Sequence, residues 1–159
     1  MDADNSVKIE NLEKFIENIH GEYDIVIGSI AIPGAIVVEG NAWYRRFLGR
    51  ISKWLIRRVA VPNVFDTQRG FKLFTSKAAE TLFSLQTING FGFDIELLAI
   101  ARSNHLAVKE LSVEWKNPRG SSVSFISYVQ TLYELCIIKT NMMLGKYDVA
   151  LAIEKNKQM

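Results

Sequence analysis

The chain of 159 residues carries 19 Lys and Arg against 17 Asp and Glu, so its net charge is +2 at pH 7. This length predicts about one domain, and an apolar share of 48% is enough for a buried core. So small a net charge excludes a nucleic-acid binder that works by bulk positive charge. The single cysteine, Cys136, excludes an intramolecular disulfide and is predicted to be buried, because it lies in an apolar run. There is no run of about 18 uncharged apolar residues that would predict a membrane-spanning helix.

Predicted helices and strands alternate along the chain, which favours an α/β fold. Ser6 or Asn5 is the predicted N-cap of the first helix, and Ser76 that of the third. In the first half of the chain we predict a helix after Ser6 that ends at Gly21, a strand over 23–29, a short strand over 36–38 and a helix over 43–59. In the second half we predict a strand over 70–75, helices over 76–84 and 93–103, a strand over 107–115 and a helix over 123–144. The loop over 116–122 is polar, and the tail after Tyr147 is predicted to be frayed.

The predicted helix over 43–59 has two faces. The apolar face carries Trp43, Phe47, Ile51, Trp54 and Leu55, and the cationic face carries Arg46, Arg50, Lys53 and Arg57. Two interpretations stay open. The cationic face is either a solvated surface or a surface that binds phosphate or an anionic membrane, because Arg suits bidentate phosphate contacts and basic amphipathic helices with Trp lie at membrane surfaces.

The predicted helix over 123–144 is amphipathic. Its predicted apolar face consists of Phe125, Val129, Leu132, Tyr133, Cys136 and Ile137. The sequence therefore predicts one face in contact with apolar surroundings and one in water.

Residues Asp66–Phe74, with the sequence Asp-Thr-Gln-Arg-Gly-Phe-Lys-Leu-Phe, place charges directly before a strand. Buried charge needs a partner or a ligand, so such a cluster usually lines a cleft. Strand alternation predicts Lys72 on one face and Phe71 with Leu73 on the other. We expect Asp66 and Gln68 to hold Arg69 or Lys72 in place. The alternative is a structural ion pair at the start of a strand.

Asp2 and Asp4 are one residue apart in a predicted turn. Two such carboxylates are able to bind one divalent cation, and Mg²⁺ prefers oxygen ligands. The alternative is a pair of solvated acids that favour a helix start.

Asp94 and Glu96 lie at the start of a predicted helix. A spacing of two residues puts them about 200° apart around the helix, so they are not expected to share one site. Asp94 is either a cleft residue or a helix N-cap. Glu96 is expected to meet Arg102 or solvent.

Taken in order, these motifs resemble those of glycosyltransferase family 2, and within it those of the dolichyl- and polyprenyl-phosphate glucosyltransferases. The likeness runs from residue 2 to about residue 147. Three segments before residue 50 carry it: Asp2-Ala3-Asp4 resembles the metal-binding Asp-x-Asp motif, Ile27-Gly28-Ser29 the end of the Gly-Ser-Arg strand, and Trp43-Tyr44-Arg45-Arg46 the aromatic-Arg segment. Two later segments add to it: Asp66–Phe74 resembles the Asp-Thr-Gln-Cys-Gly-Phe-Lys signature, and Phe93–Leu98 the Phe-Asp-x-Glu block.

The resemblance implies a partial GT-A fold, a Rossmann-like α/β sandwich that binds a nucleotide sugar through a divalent metal, Mg²⁺ or Mn²⁺. Residues 1–147 correspond to the C-terminal part of that domain, without the N-terminal nucleotide-binding strands, and residues 148–159 to a tail. The implied reaction is the inverting transfer of a hexose, from UDP-glucose, to a polyprenyl or dolichyl phosphate. The implied location is the cytoplasmic face of a membrane, where the helices over 43–59 and 123–144 touch the surface.

The resemblance also implies roles for individual residues. These are Asp2 and Asp4 as metal ligands, Arg45 as the residue that binds the acceptor phosphate, Arg46, Arg69 and Lys72 near the same anions, and Asp94 and Asp66 as catalytic carboxylates. The second pKa of a phosphate monoester lies near 6, so the acceptor is mostly ionised at neutral pH. Asp94 is therefore expected to orient groups rather than to remove a proton.

One position departs from the resemblance. Ile30 stands where the family has the arginine of Gly-Ser-Arg, and losing a charged hydrogen bond of about 1.5–3 kcal/mol is expected to weaken acceptor binding or turnover roughly tenfold to a hundredfold. Arg69, in place of a cysteine, is expected to compensate if it points the same way.

Two alternatives to this function stay open. One is a truncated remnant without activity that binds a partner or an anionic membrane. The other is a family 2 transferase with a soluble sugar acceptor. A chain without its N-terminal half is also expected to expose a sheet edge, which favours homo-oligomers.

Overall fold

The computed structural model describes residues 6–19, 22–38, 43–116 and 125–149, with the backbone alone described at 38, 43–46, 116 and 125. These residues form a mixed α/β structure. The helices are α1 (Leu12–Ile19), α2 (Trp43–Val59), α3 (Ser76–Leu85), α4 (Phe93–Ser103) and α5 (Phe125–Met143). The strands are β1 (Ile25–Ser29), β2 (Ile36–Val38), β3 (Lys72–Phe74), β4 (Val108–Ser112) and β5 (Glu114–Lys116).

Strand β1 is the centre of a three-stranded sheet in the order β3-β1-β4. It runs parallel to β4, with Ile27 opposite Glu110, and antiparallel to β3, with Ile27 opposite Lys72. The carboxyl ends of β1 and β4 therefore meet the beginning of β3 at one edge of this sheet. A second sheet consists of β2 and β5, which run parallel to each other.

The two faces of β1 pack against two hydrophobic cores, because alternate side chains point to opposite sides of a strand. Ile25 and Ile27 are fully buried and join the larger core with residues of α2, α3, α4 and α5. Val26 joins a smaller core with Phe15 of α1 and Phe71, whose rings meet edge to face with centroids 4.8 Å apart. Helix α1 therefore covers one side of the sheet, and the other helices cover the opposite side.

Helix α4 lies in the middle of the larger core. Every residue from Ile95 to Ala101 is buried. A helix buried on all sides must be apolar on most of them, and its sequence satisfies this with a single exception, Glu96. The predicted bounds of α2, α4 and β2 are confirmed residue for residue.

The strand predicted over 107–115 is two strands, β4 and β5, that separate at Val113. The N–H of Val113 donates to the carbonyl oxygen of Ser29 at 3.2 Å, whereas its own carbonyl oxygen accepts from the N–H of Ile36 at 3.3 Å. The chain thus changes partner at this residue, from β1 to β2. Because the change depends on two distant segments, the alternation within residues 107–115 did not reveal it.

Two predicted helix caps are wrong. Thr75 rather than Ser76 caps α3, since its Oγ1 accepts from the N–H of Ala78 at 3.2 Å. Before α1, a 3-10 turn begins at Ile9 with Lys8 in the cap position and no side-chain cap, while Ser6 is buried. The other predicted cap, Asn5, lies outside the described residues.

Most of the apolar face predicted for α5 faces solvent rather than the core. Val129 is 52% exposed, Tyr133 is 68% exposed, and Cys136, which was predicted to be buried, is also exposed. The buried residues of this helix are Ser127, Thr131, Glu134, Leu135, Ile138 and Asn141. Polar side chains occupy the inner face because they find hydrogen-bond partners there, such as the bond from Thr131 Oγ1 to the carbonyl oxygen of Ser127 at 2.8 Å.

Several predictions concern residues outside the described part of the chain. These are the helix end at Gly21, the polar loop over residues 117–122 and the frayed tail over residues 150–159. The division into a domain over 1–147 and a tail stays a prediction. Among the helices that the structure describes, none combines the length and the apolar character needed to cross a membrane.

Candidate functional site

The candidate site begins where β1 ends. The N–H of Ile30, the residue after β1, donates to Oδ2 of Asp66 at 3.0 Å. On the neighbouring strand β4, the carboxylate of Glu110 accepts from the N–H groups of Phe65 at 2.9 Å and Asp66 at 3.0 Å. The N–H group that follows β1 thus binds the Asp66 carboxylate, and Glu110 in the middle of β4 holds the backbone of Phe65 and Asp66.

Asp66 holds two cations. Its Oδ1 accepts from Lys53 Nζ at 2.8 Å, and its Oδ2 accepts from Arg69 Nε at 3.0 Å. Burial on its own would raise the pKa of Asp66, but the charges of Arg69 and Lys53 outweigh burial and hold this pKa below its usual value. Asp66 is therefore ionised at neutral pH, and the predicted contact between Asp66 and Arg69 is confirmed.

Lys72 and Asp94 form a third ion pair, with Lys72 Nζ 2.6 Å from Asp94 Oδ1. Lys72 also donates to the carbonyl oxygen of Arg69. The predicted alternation is confirmed, because Phe71 and Leu73 pack into the smaller core on the other face of β3. The alternative of Asp94 as an N-cap is wrong, since Gly92 occupies that position of α4.

The three ion pairs join into one network, which runs from Lys53 through Asp66, Arg69 and Lys72 to Asp94. We call it the charged network. Three cations meet two carboxylates, so these five side chains together carry one excess positive charge. The guanidinium of Arg69 also lies over the ring of Trp115, 4.6 Å from its centroid. The side chains of Lys53, Arg69 and Asp94 are 39%, 22% and 24% exposed, so an anion has access to the network from solvent.

The structure adds two residues to the site that the sequence analysis did not assign to it. Lys53 belongs to the cationic face of α2, and its position in the stripe gave no sign of a contact with Asp66. Glu110 lies 44 positions after Asp66, and the sequence pattern predicts it only as part of an alternating strand. A carboxylate within a strand of a small sheet requires hydrogen-bond donors when it faces another segment. The position of Glu110 within a predicted strand was therefore a signal that it contacts a neighbouring segment.

The prediction that Glu96 meets Arg102 or solvent is wrong. Glu96 is fully buried and accepts from the N–H groups of Thr87 at 2.9 Å and Ile88 at 2.7 Å. It also accepts from the hydroxyl of Tyr147 at 2.7 Å, and burial together with this hydrogen bond raises the pKa of Tyr147 above its ordinary value. Asp94 and Glu96 lie on different sides of α4, as predicted, but the side that carries Glu96 faces the core rather than solvent.

The remaining predicted site residues have no described side chains. Asp2 and Asp4 lie outside the described residues, and at Arg45 and Arg46 only the helical backbone of α2 is described. Their assignment to a metal and to the acceptor phosphate therefore stays a prediction. Across the described ranges, no group of three or more His, Cys, Asp or Glu residues is arranged to hold a metal ion.

Ile30, which replaces the arginine that the resemblance predicts, contributes its backbone to the site. Its side chain packs against the smaller core, while its N–H donates to the same Asp66 oxygen as Arg69 Nε. The guanidinium of Arg69 therefore approaches the backbone position at which the resemblance places an arginine.

The chain is homologous to dolichyl-phosphate beta-glucosyltransferases over nearly its whole length. A protein of that name from Trichomonas vaginalis is 35% identical over 154 residues, which is 94% of this chain and 46% of that protein. The relative from Drosophila melanogaster is 31% identical over 163 residues, or 98% of this chain and 50% of that protein. The human relative is 31% identical over 153 residues, or 92% of this chain and 47% of that protein.

The chain thus spans about half the length of the curated relatives it matches. No protein-family model matches it. The resemblance predicted from the motifs is confirmed by these relatives, which are named as glucosyltransferases that act on dolichyl phosphate.

Proposed function

We propose that this homologue of dolichyl-phosphate beta-glucosyltransferases forms part of an enzyme that transfers a hexose, glucose from UDP-glucose, to a polyprenyl or dolichyl phosphate. The described residues would then be part of a GT-A domain whose other strands bind the nucleotide. The observation that carries the proposal is the charged network at the carboxyl end of β1, where the N–H of Ile30 binds Asp66. Ligands of open α/β sheets bind outside the carboxyl ends of the strands.

The charged network suits an acceptor that is already an anion. A phosphate monoester is mostly ionised at neutral pH, so no protein group has to remove a proton before it attacks. Asp94 is engaged by Lys72 at 2.6 Å, which fits a carboxylate that orients a cation better than one that works as a base. Lys72 and Arg69 would hold the acceptor phosphate in line with the sugar.

The two carboxylates of the charged network do not fit as metal ligands. Asp66 accepts from two cations and Asp94 from one, and a bound divalent ion would have to displace these partners. We therefore propose Asp2 and Asp4, from the Asp-x-Asp motif, as the residues that hold Mg²⁺ or Mn²⁺. When bound, the ion would neutralise charge on the leaving nucleoside diphosphate.

Arg69 supplies the charge that Ile30 lacks. Its guanidinium is fixed by Asp66 at 3.0 Å and lies over Trp115, so its direction is set by two contacts. An arginine held in this way loses little side-chain entropy when it binds a phosphate. We expect the exchange of arginine for isoleucine at position 30 to be tolerated for this reason.

Exposed apolar side chains on α2 and α5 support a membrane surface as the place of the reaction. On α2, Phe47 is 58% exposed and Trp54 is 62% exposed, and the cations Arg50 and Arg58 are exposed beside them. On α5, Tyr133 is 68% exposed. A basic helix with exposed aromatic residues is suited to the surface of an anionic membrane, where the lipid acceptor would be found.

The test is a transfer assay on the full-length protein with UDP-glucose, Mg²⁺ or Mn²⁺ and a polyprenyl phosphate. Loss of one charged hydrogen bond predicts that Lys72→Ala lowers product formation about tenfold to a hundredfold. Lys77→Ala, which removes an exposed lysine of α3, serves as the matched control and should leave the rate unchanged. Product from a soluble glucose acceptor alone, or equal rates for Lys72→Ala and the wild type, would contradict the proposal. Equal rates for Asp4→Ala and the wild type would remove the metal assignment.

A further inference from the structure

The turn that precedes Asp94 is built around two glycines. Gly92 is the N-cap residue of α4, and Asp94 is the second residue of that helix. A Cβ atom added at Gly90 would lie 1.9 Å from Oε1 of Glu134, and one added at Gly92 would lie 2.9 Å from its Cβ. The side chain of Glu134 therefore occupies the space beside this turn, which only glycine leaves free.

Glu134 itself is a buried carboxylate on the inner face of α5, with 7% of its surface exposed. Its Oε2 accepts from the N–H of Gly92, and its Oε1 accepts from Gln130 Nε2 at 2.8 Å. A buried carboxylate is unfavourable unless it is hydrogen-bonded, so these contacts account for the polar character of this face of α5. They also leave the first turn of α4 bound to a neighbouring helix.

The same turn is also held by Gln68, which lies in the segment Asp66–Phe74. Gln68 Nε2 donates to the carbonyl oxygen of Phe91 at 3.1 Å. The turn over residues 90–92 is thus fixed between Gln68 and Glu134, and it is followed directly by the ion pair of Asp94 with Lys72. A shift of this turn would move the Asp94 carboxylate relative to Lys72.

We propose that Glu134 is a positioning residue, which places Asp94 against Lys72 by holding the N–H of Gly92. This inference rests on the proposed function, because it gives the Asp94–Lys72 pair a role in transfer. Glu134 touches no reacting group; it acts through the turn.

The first experiment measures amide hydrogen exchange at Gly92 in the full-length protein and does not depend on activity. Glu134→Leu leaves the buried N–H of Gly92 without its acceptor, so its exchange should be about tenfold faster or more. Glu134→Gln keeps an amide oxygen at the same place and should exchange within about twofold of the wild type. Ile138→Val, a change in the same buried face, is the matched control for general loosening, and amides of α3 report global stability.

The second experiment measures transfer by the same variants. A displaced Asp94 should lower kcat about tenfold to a hundredfold in Glu134→Leu, while KM for UDP-glucose stays nearly constant and Glu134→Gln retains most of kcat. Unchanged exchange at Gly92 in Glu134→Leu overturns the proposal, and so does faster exchange with a wild-type kcat. If the wild type shows no transfer, the proposed function fails, and the exchange at Gly92 decides by itself whether Glu134 holds the turn.

Discussion

Replacing Asp66 with asparagine tests whether the charged network is assembled around this carboxylate. Asparagine has nearly the same shape and keeps an oxygen that can accept from the N–H of Ile30, but it lacks the negative charge. Arg69 and Lys53 would then lie against a neutral group. We expect the folded state to be destabilised and the two cations to lose their fixed positions.

The expected magnitude follows from the exposure of the two partners. Arg69 is 22% exposed, so its charged hydrogen bond to Asp66 contributes toward the lower end of about 1.5–3 kcal/mol. Lys53 is 39% exposed, and solvent screening limits its contribution to about 0–1 kcal/mol. The sum is a loss of about 1.5–3 kcal/mol, which corresponds to a decrease in Tm of roughly 3–12 °C for a domain of this size.

The effect should depend on pH in a defined direction. The folded-state pKa of Asp66 is lowered from 3.8, so its ionised form stabilises the fold above pH 3.8, and this stabilisation is lost as the pH falls further. The difference in unfolding free energy between the wild type and Asp66→Asn should therefore be largest near neutral pH and should shrink below about pH 4.

Thermal and urea unfolding, followed by circular dichroism at several pH values, measure both quantities. Glu80→Gln, which neutralises an exposed carboxylate of α3, is the matched control and should change Tm by less than about 2 °C. A Tm for Asp66→Asn equal to that of the wild type, or a difference that stays constant with pH, would show that the charge of Asp66 does not stabilise the network.

Three further predictions concern other parts of the molecule. Gly90→Ala would place a methyl group 1.9 Å from a carboxylate oxygen of Glu134 on α5 and should destabilise the fold by about 1–3 kcal/mol. Gly49→Ala, with no atom within 4 Å of its Cβ, should instead stabilise the fold by about 0.5–1 kcal/mol. Urea unfolding of both variants measures this difference, and equal effects would contradict the prediction. Tyr147→Phe removes the hydroxyl that donates to Glu96 and should cost about 0.5–1.5 kcal/mol in urea unfolding at pH 7. The pKa of Tyr147 is raised above 10.0, so the difference in unfolding free energy between the wild type and Tyr147→Phe should shrink as the pH rises above about 10. A difference that persists at higher pH would exclude the phenol hydroxyl as the source of the stabilisation. Trp54→Ala should weaken binding to anionic vesicles about tenfold in a sedimentation assay, and unchanged binding would remove α2 from the proposed membrane surface.

Local signals in the sequence determined most of the helices and strands. The period of apolar residues in Trp43–Val59 predicted that helix with its bounds, because periodicity is a property of neighbouring residues. The alternation around Lys72 likewise predicted which side chains face the core. The motifs alone also predicted the family that the relatives confirm.

Only the tertiary structure decided which charges meet and which helix faces are buried. Lys53 reaches Asp66 across 13 positions and Glu110 reaches it across 44, and neither distance in sequence carries a local signal. The inner face of α5 was missed because apolar periodicity assumes that polar groups stay in water, whereas Glu134 is buried against Gly92. Glu96 was missed for the same reason, since its donors come from residues 87, 88 and 147. A buried polar side chain is stable only where the folded chain brings partners to it, so its position is a property of the whole fold.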